Sequence, residues 1–282
     1  MSKENACILF RQFLLLNFIS GSDYHVAFFD IDGTLVDHRL PHHLSFLDRI
    51  PDSAKKALKQ LKENNIEPVI ASGRHYQLID EFASDLGVSS IISSNGNCVH
   101  YQGKMIHKNV LSPNLLNNVL DHLQEREIDC LIETPHNLYC FESNKTMKHQ
   151  IADNNILKSH DPLPNDVVQL LVPWNETIDY QLPKDSILIA EKVAPVAASI
   201  HLRSGTKAEG IQKICNAMNI STEQALAFGD EENDFTMFDV VGFPVAMGNA
   251  VSALKEKAAH VTSSVSDDGI WNACIELGLI TD

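Results

Sequence analysis

Val26-Ala27-Phe28-Phe29-Asp30-Ile31-Asp32-Gly33-Thr34 is the stretch on which the reading of this chain turns. A short apolar run that breaks into two acids, a glycine and a threonine reads as a buried strand delivering polar side chains at its carboxyl end. In extended backbone, residues two apart project to the same side, so Asp30 and Asp32 can face one pocket while Ile31 turns into the core. Gly33 permits a sharp turn, and Thr34 offers a hydroxyl donor. Taken alone, the stretch could also be an ordinary polar turn after a strand.

Outward from it, short apolar runs alternate with helical periodicity, the pattern of βαβ units and a parallel sheet. A helix is expected over 52–64, with Ala54, Ala57, Leu58 and Leu61 on one face and Asp52 or Ser53 as its cap. A strand over 68–71 ends in Ser72-Gly73-Arg74, a helix passes through Leu78 and Phe82, and a strand over 90–93 leads to Asn95-Gly96. From 99 to 202 the texture changes to a hairpin around Gln102-Gly103, a helix opened by Ser112-Pro113, and further short strands. The first pattern returns with a helix over 206–218, a strand over 225–228 ending in Gly229-Asp230, and a strand over 243–247. A helix to 258, an edge strand over 260–262 and a last helix capped by Asp267 or Asp268 complete it. The fold class is therefore α/β: a Rossmann-like parallel-sheet core over 24–98 and 203–282, an inserted α+β module over 99–202, and an N-terminal extension over 1–23.

In an open parallel sheet, ligands bind outside the carboxyl ends of the strands. Asp30, Ser72, Asn95 and Asp230 stand at those ends, and Lys207 lies in the first turn of a helix whose N–H groups already attract anions. Two carboxylates sharing a small site repel, which calls for a cation or a shared proton. A carboxylate on a hard divalent ion can attack phosphorus, and its neighbour can protonate the leaving oxygen and later deprotonate water. Gly229-Asp230-Glu231-Glu232-Asn233-Asp234 supplies acidic oxygens suited to Mg²⁺. A calcium loop starting at Asp230 fails, because it would put Phe235 where glycine is required and Val241 where a bidentate glutamate is needed.

The formal net charge of -15 opposes binding to nucleic acid, which needs a basic face. The six cysteines form no C-x-x-C pair and read as free thiols in a reducing cytosol. Near the start, Arg11 precedes the apolar run 13–19, but the run is short and Glu4 and Asn5 sit in the would-be basic region, so an extra helix or a misassigned start codon is preferred to a secretion signal. No stretch approaches a membrane span of about 20 apolar residues. His38, His42 and His43 lack the frame of a transition-metal site and read as a solvated loop.

Together, Asp30-Ile-Asp-Gly-Thr, Ala71-Ser-Gly-Arg, Ser94-Asn-Gly, Thr206-Lys207, Gly229-Asp-x-x-Asn-Asp, Met247-Gly-Asn-Ala and Asp268-Gly resemble the haloacid dehalogenase superfamily. Within it, the closest likeness is to the Cof-type hydrolases, whose large α/β cap is inserted after the third core strand. The resemblance runs from about Tyr24 to the C-terminus. It implies Asp30 as nucleophile and metal ligand, and Asp32 as general acid and base that also lends its carbonyl to Mg²⁺. Thr34, Ser72, Gly73, Asn95 and Asn233 would bind the substrate phosphate, and Lys207 would offset charge. Asp230 would be a further metal ligand, and Asp234 would position the metal's waters. The family often has Ser-Lys-Gly where this chain has Thr206-Lys207-Ala208, and the extension has no counterpart. The implied activity is a Mg²⁺-dependent phosphatase acting on a small phosphorylated metabolite, as a cytoplasmic monomer or weak homodimer with no nucleic-acid or membrane partner. A phosphosugar mutase and a non-catalytic phosphometabolite sensor are the alternatives, and Glu133, His136 and Arg203 are candidates to contact a leaving group.

Overall fold

The computed structural model describes residues 23–41, 43–175, 180–182, 186–194 and 196–282. The expected extension and His42 therefore lie, apart from Asp23, outside the described residues. Strand β1 (Val26–Phe29) lies between β2 (Glu67–Ala71) and β12 (Ala225–Gly229) within an eight-stranded sheet of the described residues. Beyond β2 come β3 (Ser90–Ser93), β4 (Cys98–Tyr101) and β5 (Lys104–Lys108); beyond β12 come β13 (Phe243–Ala246) and β14 (His260–Val261). From β14 to β3 every pairing is parallel, and the β4–β5 hairpin then adds antiparallel.

The strands of this sheet are apolar throughout because helices cover both faces. On one face, α1 (Asp52–Glu63), α2 (Asp80–Asp85) and α7 (Gly269–Glu276) pack on Phe29, Ile70 and Phe228. On the other, α4 (Lys207–Met218), α5 (Phe235–Phe238) and α6 (Ser252–Lys257) pack on Phe28, Val69 and Ala227. Helix α1 buries Ala54, Ala57, Leu58 and Leu61, the stripe its 3.6-residue period dictates. Neither Asp52 nor Ser53 caps it: Pro51 holds the N-cap position, and the Ser53 hydroxyl instead donates to Asp268 Oδ1 at 2.5 Å.

Register then sets the site. Phe29 pairs with Ile70 on one side and Phe228 on the other, so β1, β2 and β12 end level with one another. The chain runs from β1 to β2 and places β12 on the opposite flank of β1, which makes β1 the switch point where an open sheet leaves a crevice.

A second sheet runs β10 (Leu188–Ala194), β11 (Ala197–Leu202), β9 (Gln169–Pro173), β6 (Leu131–Glu133), β7 (Leu138–Phe141) and β8 (Ile156–Leu157). Helix α3 (Pro113–Glu125), capped by Ser112, covers one face with Leu116, Val119, Leu120 and Leu123. The expected module boundary at 99 needs correction, because the 98–108 hairpin continues the core sheet. Left-handed backbone at Ser94, Asn95 and Gly96 turns the chain straight back on β3, and Val99 enters the core. Among the described residues, no helix is long and apolar enough to cross a membrane, and the five described cysteines are buried thiols.

Candidate active site

Asp30 follows β1, Asp230 follows β12, and Asp234 closes the turn after Asp230. Their carboxylates lie within 4.8 Å of one another, all buried. Lys207, 1% exposed in the first turn of α4, donates to Asp30 Oδ1 at 2.6 Å and to Asp234 Oδ1 at 2.7 Å. The other oxygen of Asp234 accepts from the main-chain N–H groups of Asp230 at 2.9 Å and Glu231 at 3.2 Å. Both oxygens of Asp234 are thus taken by protein donors, which suits a supporting position behind Asp30 and Asp230. The turn that brings Asp230 to the end of β1 requires Gly33. Its φ is +90°, and a β-carbon there would stand 2.0 Å from Asp230 Oδ2.

Fully ionised, three carboxylates against one ammonium would leave this buried pocket two charges negative, and that imbalance governs its titration. Burial pushes Asp30 up to about 7, with Lys207 pulling it down and Asp234 and Asp32 pushing it further up. Burial likewise raises Asp230 to about 8, helped by Asp30 and Asp234. Burial opposes the charge on Lys207, but Asp234 and Asp30 outweigh it and hold the ammonium above the ordinary lysine range. A compact set of carboxylate oxygens whose full ionisation would leave two uncompensated negative charges fits a divalent metal ion.

Asp32 stands apart from this group. Arg74 grips its carboxylate with two hydrogen bonds, Nε to Oδ2 at 2.7 Å and Nη2 to Oδ1 at 2.9 Å, at the solvent-facing edge of the site. The guanidinium also lies 4.8 Å from the centre of the Phe46 ring. Thr34, expected to bind the substrate phosphate, is fully buried and donates to Asp230 Oδ1 at 2.8 Å, bracing a carboxylate.

Ser72 is buried beyond β2, its Oγ accepting from the Arg74 N–H at 3.2 Å with its own proton free to donate. Asn95 donates its main-chain N–H to the Ser72 carbonyl at 3.1 Å, and its amide packs against Gly73, where a β-carbon would meet Asn95 Oδ1 at 2.7 Å. Both polar atoms of the Asn95 side chain, and Oδ1 of Asn233, are buried without a partner among the described residues. Glu133 is buried, whereas His136 and Arg203 are exposed; His38 and His43 are exposed and take no part.

Two residues at the site were given no role by the sequence reading. Arg74 was legible only as a basic residue in the loop after Ser72. Asn249 donates to the Gly33 carbonyl at 2.8 Å and to Asp230 Oδ2 at 3.2 Å while accepting from the Val265 N–H at 3.0 Å. Its signal was a lone polar residue between Gly248 and Ala250 just past a strand end.

The chain is similar to several known proteins. A family model described as haloacid dehalogenase-like hydrolase matches residues 27–274. YkrA of Bacillus subtilis (strain 168) is 32% identical over 272 residues, covering 92% of this chain and 99% of its own. The 5-amino-6-(5-phospho-D-ribitylamino)uracil phosphatase YcsE of the same organism is 27% identical, over 89% of this chain and 94% of its own. Among solved structures, the HAD subclass IIB sugar phosphatase BT4131 superposes with a TM-score of 0.73 at 25% identity, over 90% of this chain and 99% of its own.

Proposed function

The chain belongs to the haloacid dehalogenase-like hydrolases, and on that premise we propose that this phosphatase hydrolyses a small phosphorylated metabolite with Mg²⁺, passing the phosphoryl group through Asp30. The observation that carries the reading is the convergence of Asp30, Lys207, Asp230 and Asp234, from three distant stretches, on one buried pocket. The sugar and ribityl groups in the names of two similar proteins favour a sugar or polyol phosphate as the substrate class.

A carboxylate oxygen of Asp30 attacks phosphorus while the bond to the leaving oxygen breaks, and Asp32 gives that oxygen its proton. Water then attacks the aspartyl phosphate, passes its proton to Asp32, and releases inorganic phosphate and the Asp30 carboxylate. Lys207 offsets charge on Asp30 and on the phosphoryl oxygens. The Ser72 hydroxyl, the Gly73 main chain, Asn95 and Asn233 hold the phosphate. Asp30, the Asp32 carbonyl and Asp230 would hold Mg²⁺, with Asp234 behind them, and the ion supplies Lewis-acid withdrawal of charge. We take 24–108 and 203–282 as the catalytic core, and the six-stranded sheet with α3 as a cap that excludes water and reads the leaving group. The buried thiols suit a reducing cytosol, the acidic balance leaves nucleic acid aside, and the working unit is taken as a monomer or weak homodimer.

Phosphate release from a panel of phosphorylated metabolites, with and without Mg²⁺, tests the reading. Asp30→Asn is expected to reduce turnover to background. Near-wild-type, metal-dependent hydrolysis by that variant would end the assignment of Asp30.

A further inference from the structure

The chain passes from core to cap through 109–112 and returns through 203–206, and both crossings rest on the turn at 94–97. The Asn97 carbonyl accepts from the Asn109 N–H at 2.8 Å, and a β-carbon on Gly205 would stand 1.9 Å from Asn97 Oδ1. The same turn holds the cap itself, because the Ser94 hydroxyl donates to Glu133 Oε1 at the end of β6. A second link lies beside it, where His75 Nε2 donates to the Thr134 carbonyl at 2.8 Å. Residues directly opposite one another in adjacent strands stand on the same face of a sheet. Glu133 faces Gln169 of β9, which faces His201 of β11, so the three form one polar row. Their neighbours Ile132, Leu170 and Ile200 point the other way, into the apolar cluster under α3.

Glu133 is fully buried in this row, and neutral donors rather than a cation hold its carboxylate. Oε1 takes the Ser94 hydroxyl, and Oε2 accepts from Gln169 Nε2 at 2.9 Å. The titratable groups around it are engaged elsewhere. From the loop before α2, His75 accepts the Gln77 N–H through Nδ1 at 3.3 Å and gives Nε2 to Thr134. From β11, His201 donates through Nδ1 to the Leu202 carbonyl at 2.9 Å, and its Nε2 lies 3.4 Å from Oε2 of Glu191 on β10. From β4, the Cys98 thiol is pushed up to about 12 by burial and then by Glu133, and so stays neutral. Lys108 of β5 pairs with Asp166 at 2.6 Å.

A carboxylate buried without a cation of its own costs free energy, and it is relieved by taking up a proton or by reaching water. Burial raises Glu133 above its ordinary value of 4.5, against the pull of His75, the Ser94 and Gln169 hydrogen bonds, and His201. Its place decides what the second kind of relief does to the molecule. Glu133 stands at the seam between two domains, so its route to water is the parting of cap from core. That motion pivots on the two crossings beside Asn97.

We propose that Glu133 is a proton-operated latch: with its proton it stays buried against Ser94 and holds cap to core, and without it the carboxylate draws the seam apart. The sign follows from the raised value in the closed form. Closure is strongest below about 4.5, where Glu133 is protonated whether the seam is open or shut. As the pH rises from there to the raised value, the closed-to-open ratio falls by up to about tenfold per pH unit, and then levels off.

The test is energy transfer between dyes on cysteines introduced at two exposed positions, Lys104→Cys in the core hairpin and Asp121→Cys on α3. The parent is the full-length protein with Cys7→Ser, because the five described cysteines are buried. Transfer is followed from about pH 5 to about pH 8 with Mg²⁺ saturating at each pH, so that metal loss does not enter. The parent should move from closed towards open as the pH rises. Glu133→Gln keeps the hydrogen-bonding shape without the charge, and its closed-to-open ratio should stay within about twofold across the range. Ser94→Ala removes the core's donor and should be more open than the parent at every pH. A parent whose transfer is the same at both ends of the range overturns the latch, as does opening of Glu133→Gln in step with the parent, or a Ser94→Ala protein no more open than the parent. The phosphatase reading stands apart from all three outcomes, since release of phosphate tests it separately.

Discussion

Lowering the pH from about 8 to about 6 is expected to weaken Mg²⁺ binding roughly 500-fold, because the cation must displace protons that burial holds on its ligands. Without metal, Asp30 is raised to about 7 and Asp230 to about 8, both from 3.8. At about pH 6, Asp230 is ionised in about one molecule in 100 and Asp30 in about one in 11; at about pH 8 the fractions are about one half and about nine tenths. The change is worth about 50-fold through Asp230 and about tenfold through Asp30. Titration calorimetry in buffers of different ionisation enthalpy reads both the affinity and the protons released, about one to two per ion near neutrality. The same shifts set the sign of the stability change. A carboxyl whose folded pKa is raised contributes stability that is present below about pH 4 and lost as the pH rises through about 7 to 8. Metal-free protein should therefore melt at lower temperature at pH 8 than at pH 5, and the increment on adding Mg²⁺ should grow with pH. Affinities within about threefold of each other at the two pH values, with no proton release, would refute the buried-carboxylate account of the site.

Lys207→Met leaves Asp30 and Asp234 buried without their ammonium. A loss of about 3–5 kcal/mol is expected, seen as a melting-temperature drop of roughly 5–10 °C, with kcat reduced by about 100-fold or more. Arg74→Ala frees the Asp32 carboxylate. The pair is about two-fifths exposed, so stability should change by less than about 1 kcal/mol, whereas turnover of alkyl phosphates should fall about 100-fold and that of p-nitrophenyl phosphate much less. Equal losses on both substrates would remove Arg74 from any role in orienting Asp32. Gly33→Ala puts a β-carbon against Asp230 at a φ of +90°, so a destabilisation of about 1–3 kcal/mol is expected by thermal melting, along with weaker metal binding by calorimetry.

The parts of the site that were legible in the sequence are those set by a strand's own end. Asp30, Ser72 and Asp230 each follow a short apolar run, and a run buried on both faces delivers whatever polar residue comes next to the edge of the sheet. Lys207 was legible for a similar reason, standing one residue past the Thr206 cap of its helix. Where a second, distant segment decides the outcome, the reading failed or stayed silent. Thr34 looked like a free hydroxyl because Asp230, 196 residues away, is invisible from its neighbourhood. Asp32 showed no partner because Arg74 lies 42 residues on. The 98–108 hairpin was recognised as a hairpin but assigned to the wrong sheet, since alternation marks which side chains face a core and not which core.

The same limit governs the seam between cap and core. Glu133 and Gln169 are 36 residues apart, and Gln169 and His201 are separated by β10 as well as the loops around it. Nothing local distinguishes Gln169 from a residue destined for solvent; it follows Val168 and precedes Leu170, both buried. Pairing decides its role. A slip of β9 by one residue against β6 and β11 would turn Leu170 into the polar seam and drive Gln169 into the apolar cluster beneath α3. Around that position the cluster offers the apolar side chains of Ile132, Val172 and Ile200. The apolar side of β9 therefore enforces the register that aligns the polar side. The polar row of Glu133 and Gln169 is thus held in place by the hydrophobic packing of the opposite face.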